Sequence, residues 1–534
     1  MRCFAPGRRP KRCSVCTLLK FRALGVGHCT PGEVQRFDFC LLRQMLCLES
    51  NTFKRVWVKN SKTPVFYGRG RVYFDNYTLC YSCHGAIPKL LYKLPAHAAL
   101  EKIEDALFCE TPVYQVLSPS DYRPSIVGLT SSNFLLRFDA DTGQILEKIF
   151  LSHVYKFKQI SWISEQETLM LKSIRSKPPD QPRTINFRRR ILLQLAFFTV
   201  FPLQLIGMME IDQQIFGSTV TDVTVSENIL ITLHSNGTVK FYNLEEIVNK
   251  YKVKELSLGG QCEWDGKHGI VGSKAFGIPC NIQVTAHPSL LFEAKCHLNE
   301  MSIGGFPWHY IITPSGSKNR GVFHVHSLED GTLAHGGVLN MDGCFLEDDW
   351  VMFHPDNSSR ICQVSLGRFD MLRLSTLKNG KTSLHREFSV STKQDERPEL
   401  ATATSSYGRL IKKRFSQFDV GLQRKTIQLV DYEDELDLII VAVVSDAESS
   451  GDAVIHLHDN STGQRLKSIP LQGPWDVTVD QHLYVDQDTI IHMTQSVNRK
   501  TICQVYKLTQ TLKESLPRIS SQPHRRVKMR LDNG

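Results

Sequence analysis

The chain has 534 residues, 41% of them hydrophobic, and carries 64 Lys and Arg against 54 Asp and Glu, a formal charge of +10. That length and apolar content suffice for a sizeable core. The modest basic excess sits at the two ends of a nearly balanced body, which suits targeting signals or loose polyanion contact and excludes a dedicated nucleic-acid-reading surface.

Residues 1–29 hold no Asp or Glu and are expected to be disordered. Lys20 and Arg22 interrupt any apolar run there, against a secretory signal, and Arg8, Arg9, Lys11 and Arg12 read as a nuclear-import signal. The 15 cysteines are an odd number scattered through apparent strands, and read as reduced core thiols. Cys13/Cys16 and Cys80/Cys83 have metal-ligand spacing, but the pairs are far apart and the second sits in a strand-like context. No metal and no cofactor are expected.

Thr30-Pro31-Gly32-Glu33 is a capping box with Pro at the first helical position, and predicts an amphipathic helix over 30–50. Val34, Phe37, Leu41, Met45 and Leu48 recur on one face, Leu42 and Leu46 widen the stripe, and Arg36, Arg43 and Gln44 lie off it. Such a helix packs on its own domain or anchors in a partner's groove, and the pattern alone favours the first.

From about residue 52 to 510 the chain is strand-rich. Ser218–Ile247 reads as a hairpin: Ile229–Leu233, a Ser235-Asn236-Gly237 turn, then Thr238–Tyr242 with Val239 and Phe241 on one face. The phrase recurs with drift at Ser125–Phe150 (turn Asp141-Thr142-Gly143), Val322–Ala334 (Glu329-Asp330-Gly331) and Val454–Ile469 (Ser461-Thr462-Gly463). Short strands around polar Gly turns predict an all-β, degenerate WD40-like propeller of seven or eight blades. Lys102–Leu107 reads as a short connecting helix. Residues 172–190 and 375–400 read as surface insertions, and 511–534 as a basic disordered tail.

Ile191–Met209 is an apolar run of membrane-spanning length, but Gln194, Gln204 and Pro202 divide it into two plausible buried strands. Enzyme signatures such as phosphate loops, nucleophile elbows or zincin motifs are absent. His324/His326 and His456/His458 each place two imidazoles on one strand face, a possible metal half-site, but without matching carboxylates they read as solvent-facing or edge histidines. Val430–Leu436 (VDYEDEL) reads as a solvated acidic loop or a contact for a basic partner.

The strings GRGRVYFDNY (Gly68–Tyr77), EKIEDAL (Glu101–Leu107), FGIPCNI (Phe276–Ile282), PWHYIITP (Pro307–Pro314), VDYEDELDL (Val430–Leu438) and LKSIPLQGPWDVT (Leu466–Thr478) resemble, in order, the associated factors of the damaged-DNA-binding-protein-1–cullin-4 ubiquitin ligase. The resemblance implies a non-catalytic substrate receptor that binds damaged-DNA-binding protein 1, the ligase adaptor, and presents a protein for ubiquitination. It implies docking through an N-terminal helix, here Val34, Phe37, Leu41, Leu42, Met45 and Leu48, and through a Trp-Asp-X-Arg motif. The candidates Trp264-Asp265-Gly266-Lys267 and Trp475-Asp476-Val477-Thr478 both lack the Arg, and Lys has its charge but not its planar fork. It further implies a nuclear, nucleolar location. The alternatives are a nucleolar scaffold without a ligase and a nuclear-membrane protein held by Ile191–Met209.

Overall fold

The computed structural model describes most of the chain from Phe39 to Gln510. Outside description lie residues 1–38, 41, 95–101, 110–122, 175–189, 254–261, 341–349, 393–401, 413–424 and 511–534, with stretches of one to six residues elsewhere. The proposed import signal, Cys13, Cys16, the helix start at Thr30, the tail and Lys267 are therefore outside the described residues.

The described chain is nearly all β, in small antiparallel meanders that follow one another in sequence. Sheet 1 spans residues 66–93, sheet 2 103–150, sheet 3 157–212, sheet 4 220–295, sheet 5 302–340, sheet 6 350–391 and sheet 7 425–476. Sheet 8 holds three strands between 480 and 510, and its fourth is the strand Asn51–Ser61 from the other end of the chain. Asn51 pairs with Gln510 and Ser61 with Thr501. The hairpin Cys262–Asp265/Gly269–Gly272 extends sheet 2 through a parallel pairing of Ile270 with Glu147, and one parallel bridge, His335 to Ser383, joins sheets 5 and 6.

Each sheet buries both faces, one against each neighbour. Tyr73 and Cys80 of sheet 1 meet Ile126 and Phe138 of sheet 2. Leu135 and Ile149 meet Leu171 and Phe198 of sheet 3, and Leu195 and Phe197 meet Val223 and Leu230 of sheet 4. Ile231 and Phe241 meet Ile311 of sheet 5, and Ile312 and Val325 meet Ile361 and Leu372 of sheet 6. Val364 and Met371 meet Ile439 and Val441 of sheet 7. Leu438 and Ile455 meet Val485 and Ile490 of sheet 8, whose Ile491 and Val505 return to Val72 and Phe74 of sheet 1.

Packing on both faces explains the continuous apolar runs. In Ile191–Val200 and Leu203–Asp212 successive residues serve different clusters: Leu195 and Phe197 face sheet 4, while Ala196 and Phe198 face sheet 2. The 191–209 run is thus an antiparallel hairpin, Leu195 opposite Met209 and Val200 opposite Leu203, turning at Phe201-Pro202. Among the described residues no helix is long and apolar enough to cross a membrane.

The turn phrase is real. Gly143, Gly331 and Gly463 all have φ near +70°, the left-handed region that glycine enters freely. In two of the three turns an Asp starts the loop: Asp139 Oδ1 accepts from the Asp141 and Thr142 amides, and Asp459 Oδ1 from those of Ser461 and Thr462.

Two expectations are corrected. Lys102–Leu107 is not a helix: Ile103–Cys109 is the first strand of sheet 2, with Ala106, Leu107, Phe108 and Cys109 buried. Tertiary packing overrides its helical propensity. The stretch 375–400 is not all surface insertion, because Thr382–Ser391 pairs along Arg368–Thr376. Its partial burial on both faces leaves a polar sequence without alternation.

Candidate partner-docking site

Residues 42–47 are helical and lead through a two-residue turn into Asn51–Ser61. Leu46 is fully buried in the cluster that joins sheets 7 and 8, and Phe39 and Leu42 pack against that cluster. The spacing 39, 42, 46 is one helical face. Met45 and Leu48, on another face, are 51% and 53% exposed. The expected stripe is therefore divided: Leu42 serves the chain's own core, and Met45 and Leu48 face outward. Val34, Phe37 and Leu41 lie outside the described residues.

Polar contacts fix the described helical residues and the turn that follows them. The Arg43 guanidinium donates to the carbonyls of Leu436 (3.0 Å) and Asp437 (3.4 Å) and to the Asp459 carboxylate. It thereby joins two turns of sheet 7. Although burial works against it, hydrogen bonds from Ser461, Thr462 and Arg43 hold the Asp459 carboxyl below the usual range. Beyond the last helical residue the Lys467 ammonium donates to the carbonyls of Leu48 (2.7 Å) and of Asn51 (2.6 Å), the first residue of the strand Asn51–Ser61, and so holds the turn between helix and strand. Asn51 Nδ2 donates to the Met45 carbonyl at 2.7 Å. Beside this end lies a groove of about 400 Å³ lined by Cys47, Glu49, Phe53 and Arg465 to Pro470. Sequence reading placed Arg43 off the apolar stripe and gave Lys467 no role. Only the recurring turn phrase marked Asp459.

The Trp-Asp candidates differ in place. Trp264 and Asp265 end an edge strand of sheet 2. Trp475 is 2% exposed and stacks on His492 (5.3 Å between ring centroids, 8° between planes), so it fills the core between sheets 7 and 8. The half-buried Asp476 gives its carbonyl to Gln481 Nε2 at 2.6 Å, and Gln481 Oε1 meets His492 Nε2.

Cys80 and Cys83 are buried in separate clusters, and burial pushes each thiol up to about 12. The histidine pairs are not on edge strands: Val322–Ser327 and Ser450–Asp459 each have a strand on both sides, His458 is buried against the Gly463 carbonyl, His456 meets Ser468, and His326 packs on Phe292. The acidic run 430–436 is a seam rather than a free loop. Glu433 is buried, Tyr432 donates to Asp437, and Glu435 meets Arg69 and Gln487. The ligand oxygens of Glu433, Glu435 and Asp486 lie within 4.8 Å of one another. Tyr67 and the Gly70 amide already donate to Asp486, and Gln487 to Glu435, so two of the three carboxylates are held by protein donors.

Comparison with known proteins converges. The family model described as "DDB1- and CUL4-associated factor 17" matches residues 37–508. The protein of that name from Homo sapiens is 42% identical over 507 residues, covering 94% of this chain and 97% of its own length. Its Danio rerio counterpart is 41% identical over 510 residues with the same coverage. Among solved structures, a computationally designed protein, Ika8, aligns at a TM-score of 0.34 and 11% identity over 85% of this chain and 98% of its own, too slight a likeness to bear on the fold. With a match of this length on both counts, the chain belongs to the family of DDB1- and CUL4-associated factor 17.

Proposed function

We propose that this protein is a non-catalytic substrate receptor of a cullin-4 ubiquitin ligase, which binds the adaptor DDB1 and presents a protein substrate. The relatives' shared name supplies the adaptor and the cullin. The observation that carries the docking half is the divided helix, one face sunk in the core and Met45 and Leu48 left in solvent. A rigid helix with an exposed apolar face suits a partner's groove. Docking then rests on the helix and not on Trp475, whose indole is buried.

We further propose an eight-bladed propeller, one blade for each of sheets 1 to 8, as the frame of this receptor, with the two-stranded ribbon Thr402–Thr404/Leu410–Lys412 outside that count. Its support is the run of clusters that links each sheet to the next and sheet 8 back to sheet 1, with Asn51–Ser61 closing the ring. The sequence admitted seven blades as well.

The test is a binding titration of purified DDB1 against the wild-type chain and Met45→Asp/Leu48→Asp. Both side chains are about half exposed, so the variant should keep the wild-type melting temperature to within a few degrees. Two charges placed in a buried contact should weaken DDB1 by roughly thirtyfold or more. Unchanged affinity would remove the helix from the interface.

A further inference from the structure

The geometry around Arg43 points to a latch that orders the N-terminal helix before any partner arrives, an inference that rests on the docking reading above. A single helix of a few turns is marginal in water by itself, because nucleation is costly and most helical stability in a protein comes from packing against its body. Something outside it must hold it. Three contacts do, and all are made to sheet 7 or to its seam with sheet 8. Arg43 spans the carbonyls of Leu436 and Asp437 and the carboxylate of Asp459. Leu46 is fully buried in the seam. Lys467 binds the carbonyls of Leu48 and Asn51, on either side of the turn that follows the helix.

Of these, Arg43 fixes direction. Leu46 alone would let the helix roll about its own axis. The guanidinium reaches two separate turns of sheet 7, and its planar fork cannot satisfy both from another roll angle. With Arg43 and Leu46 facing sheet 7, Met45 and Leu48 point outward. Asp459 is itself fixed, because its other oxygen accepts from the Ser461 and Thr462 amides and hydroxyls. The turn Asp459–Gly463 is thus a positioning element for a surface it does not touch. The partner meets an ordered ligand and does not have to fold one, which lowers the entropic cost of association.

The test uses the full-length chain and two readouts. Hydrogen exchange of residues 42–48, measured without any partner, reports the latch. DDB1 affinity reports its purpose. In the wild type the helix amides should exchange at least tenfold more slowly than an unstructured peptide. Arg43→Ala should erase that protection while strands of sheets 7 and 8 keep theirs, and should weaken DDB1 about tenfold, mainly through slower association. Arg43→Lys should recover only part of each, and Asp459→Asn should shift both in the same direction as Arg43→Ala. Protection that survives Arg43→Ala overturns the latch. Protection lost with affinity unchanged overturns its role in docking. A wild-type chain that shows protection but never binds DDB1 overturns the docking reading instead, and is told apart because exchange is read on the chain alone.

Discussion

Replacing Leu46 by Ala tests the seat of the helix most directly. Leu46 is fully buried among Leu438, Ile455, Val485, Tyr506 and their neighbours. Buried Leu→Ala changes cost about 3 to 5 kcal/mol, the sum of lost transfer energy and a residual cavity. The helix sits at the surface and can settle into part of the void, so about 3 kcal/mol is expected. Met45→Ala is the control: one residue away, half exposed and outside the cluster, it should fall within about 0.5 kcal/mol of wild type. Urea unfolding followed by tryptophan fluorescence is a suitable assay, since Trp475 lies in the same cluster. Leu46→Ala should lower the midpoint of that transition at an unchanged slope, as a loss of stability without a change in exposed area requires. Equal midpoints for Leu46→Ala and Met45→Ala would refute the packing of the helix into the seam, and with it the division of its two faces.

His492 is 5% exposed and burial pushes its pKa down to about 4, against about 6.5 in the unfolded chain. Between those values the unfolded state binds the extra proton, so stability is lost as pH falls from about 6.5 to 4, on the order of 3 kcal/mol from this group. His492→Gln should flatten that limb of a stability–pH curve, and an unaltered curve would show that His492 is not buried neutral. A Cβ at Gly331 would meet nothing within 4 Å, whereas one at Gly463 would lie 2.3 Å from the Phe388 ring. Gly331→Ala should therefore cost only the left-handed backbone, about 1 to 2 kcal/mol, and Gly463→Ala at least about 1 kcal/mol more, by calorimetry. Native alkylation followed by mass spectrometry should modify exposed Cys40 and spare Cys80, Cys83, Cys362 and Cys503. Rapid labelling of the second group would contradict their burial.

Much of the fold was legible because turn chemistry is local. Gly143, Gly237, Gly331 and Gly463 announce their turns, and the hairpin around Gly237 forms as read, Leu233 opposite Val239. What sits on a sheet's outer faces was harder to see. Leu438–Val444 and Ile229–Ile231 are unbroken apolar runs because alternate residues serve two different clusters, so the period-2 signal vanishes where burial is most complete. The same cause made Ile191–Met209 resemble a membrane span. The helix was found from its spacing, yet spacing cannot say which of two overlapping apolar stripes meets the core. That choice belongs to Arg43 and Lys467, whose partners lie about four hundred positions away in sequence. Trp475 looked like a docking motif in one dimension and is a core ring in three.

The pairing of Asn51–Ser61 with the strand Thr501–Gln510 also sets a timetable for biosynthesis. The first of these strands leaves the ribosome some 450 residues before its partner exists. At roughly 5 to 20 residues per second it waits on the order of half a minute to a minute and a half with its backbone edge open. An unpaired edge is a template for other chains, so this interval is when nascent protein is most exposed to misassembly and to holding chaperones. A message truncated ahead of Thr501 would make that wait permanent. It would release a chain in which Asn51–Ser61, the first described strand, has no partner.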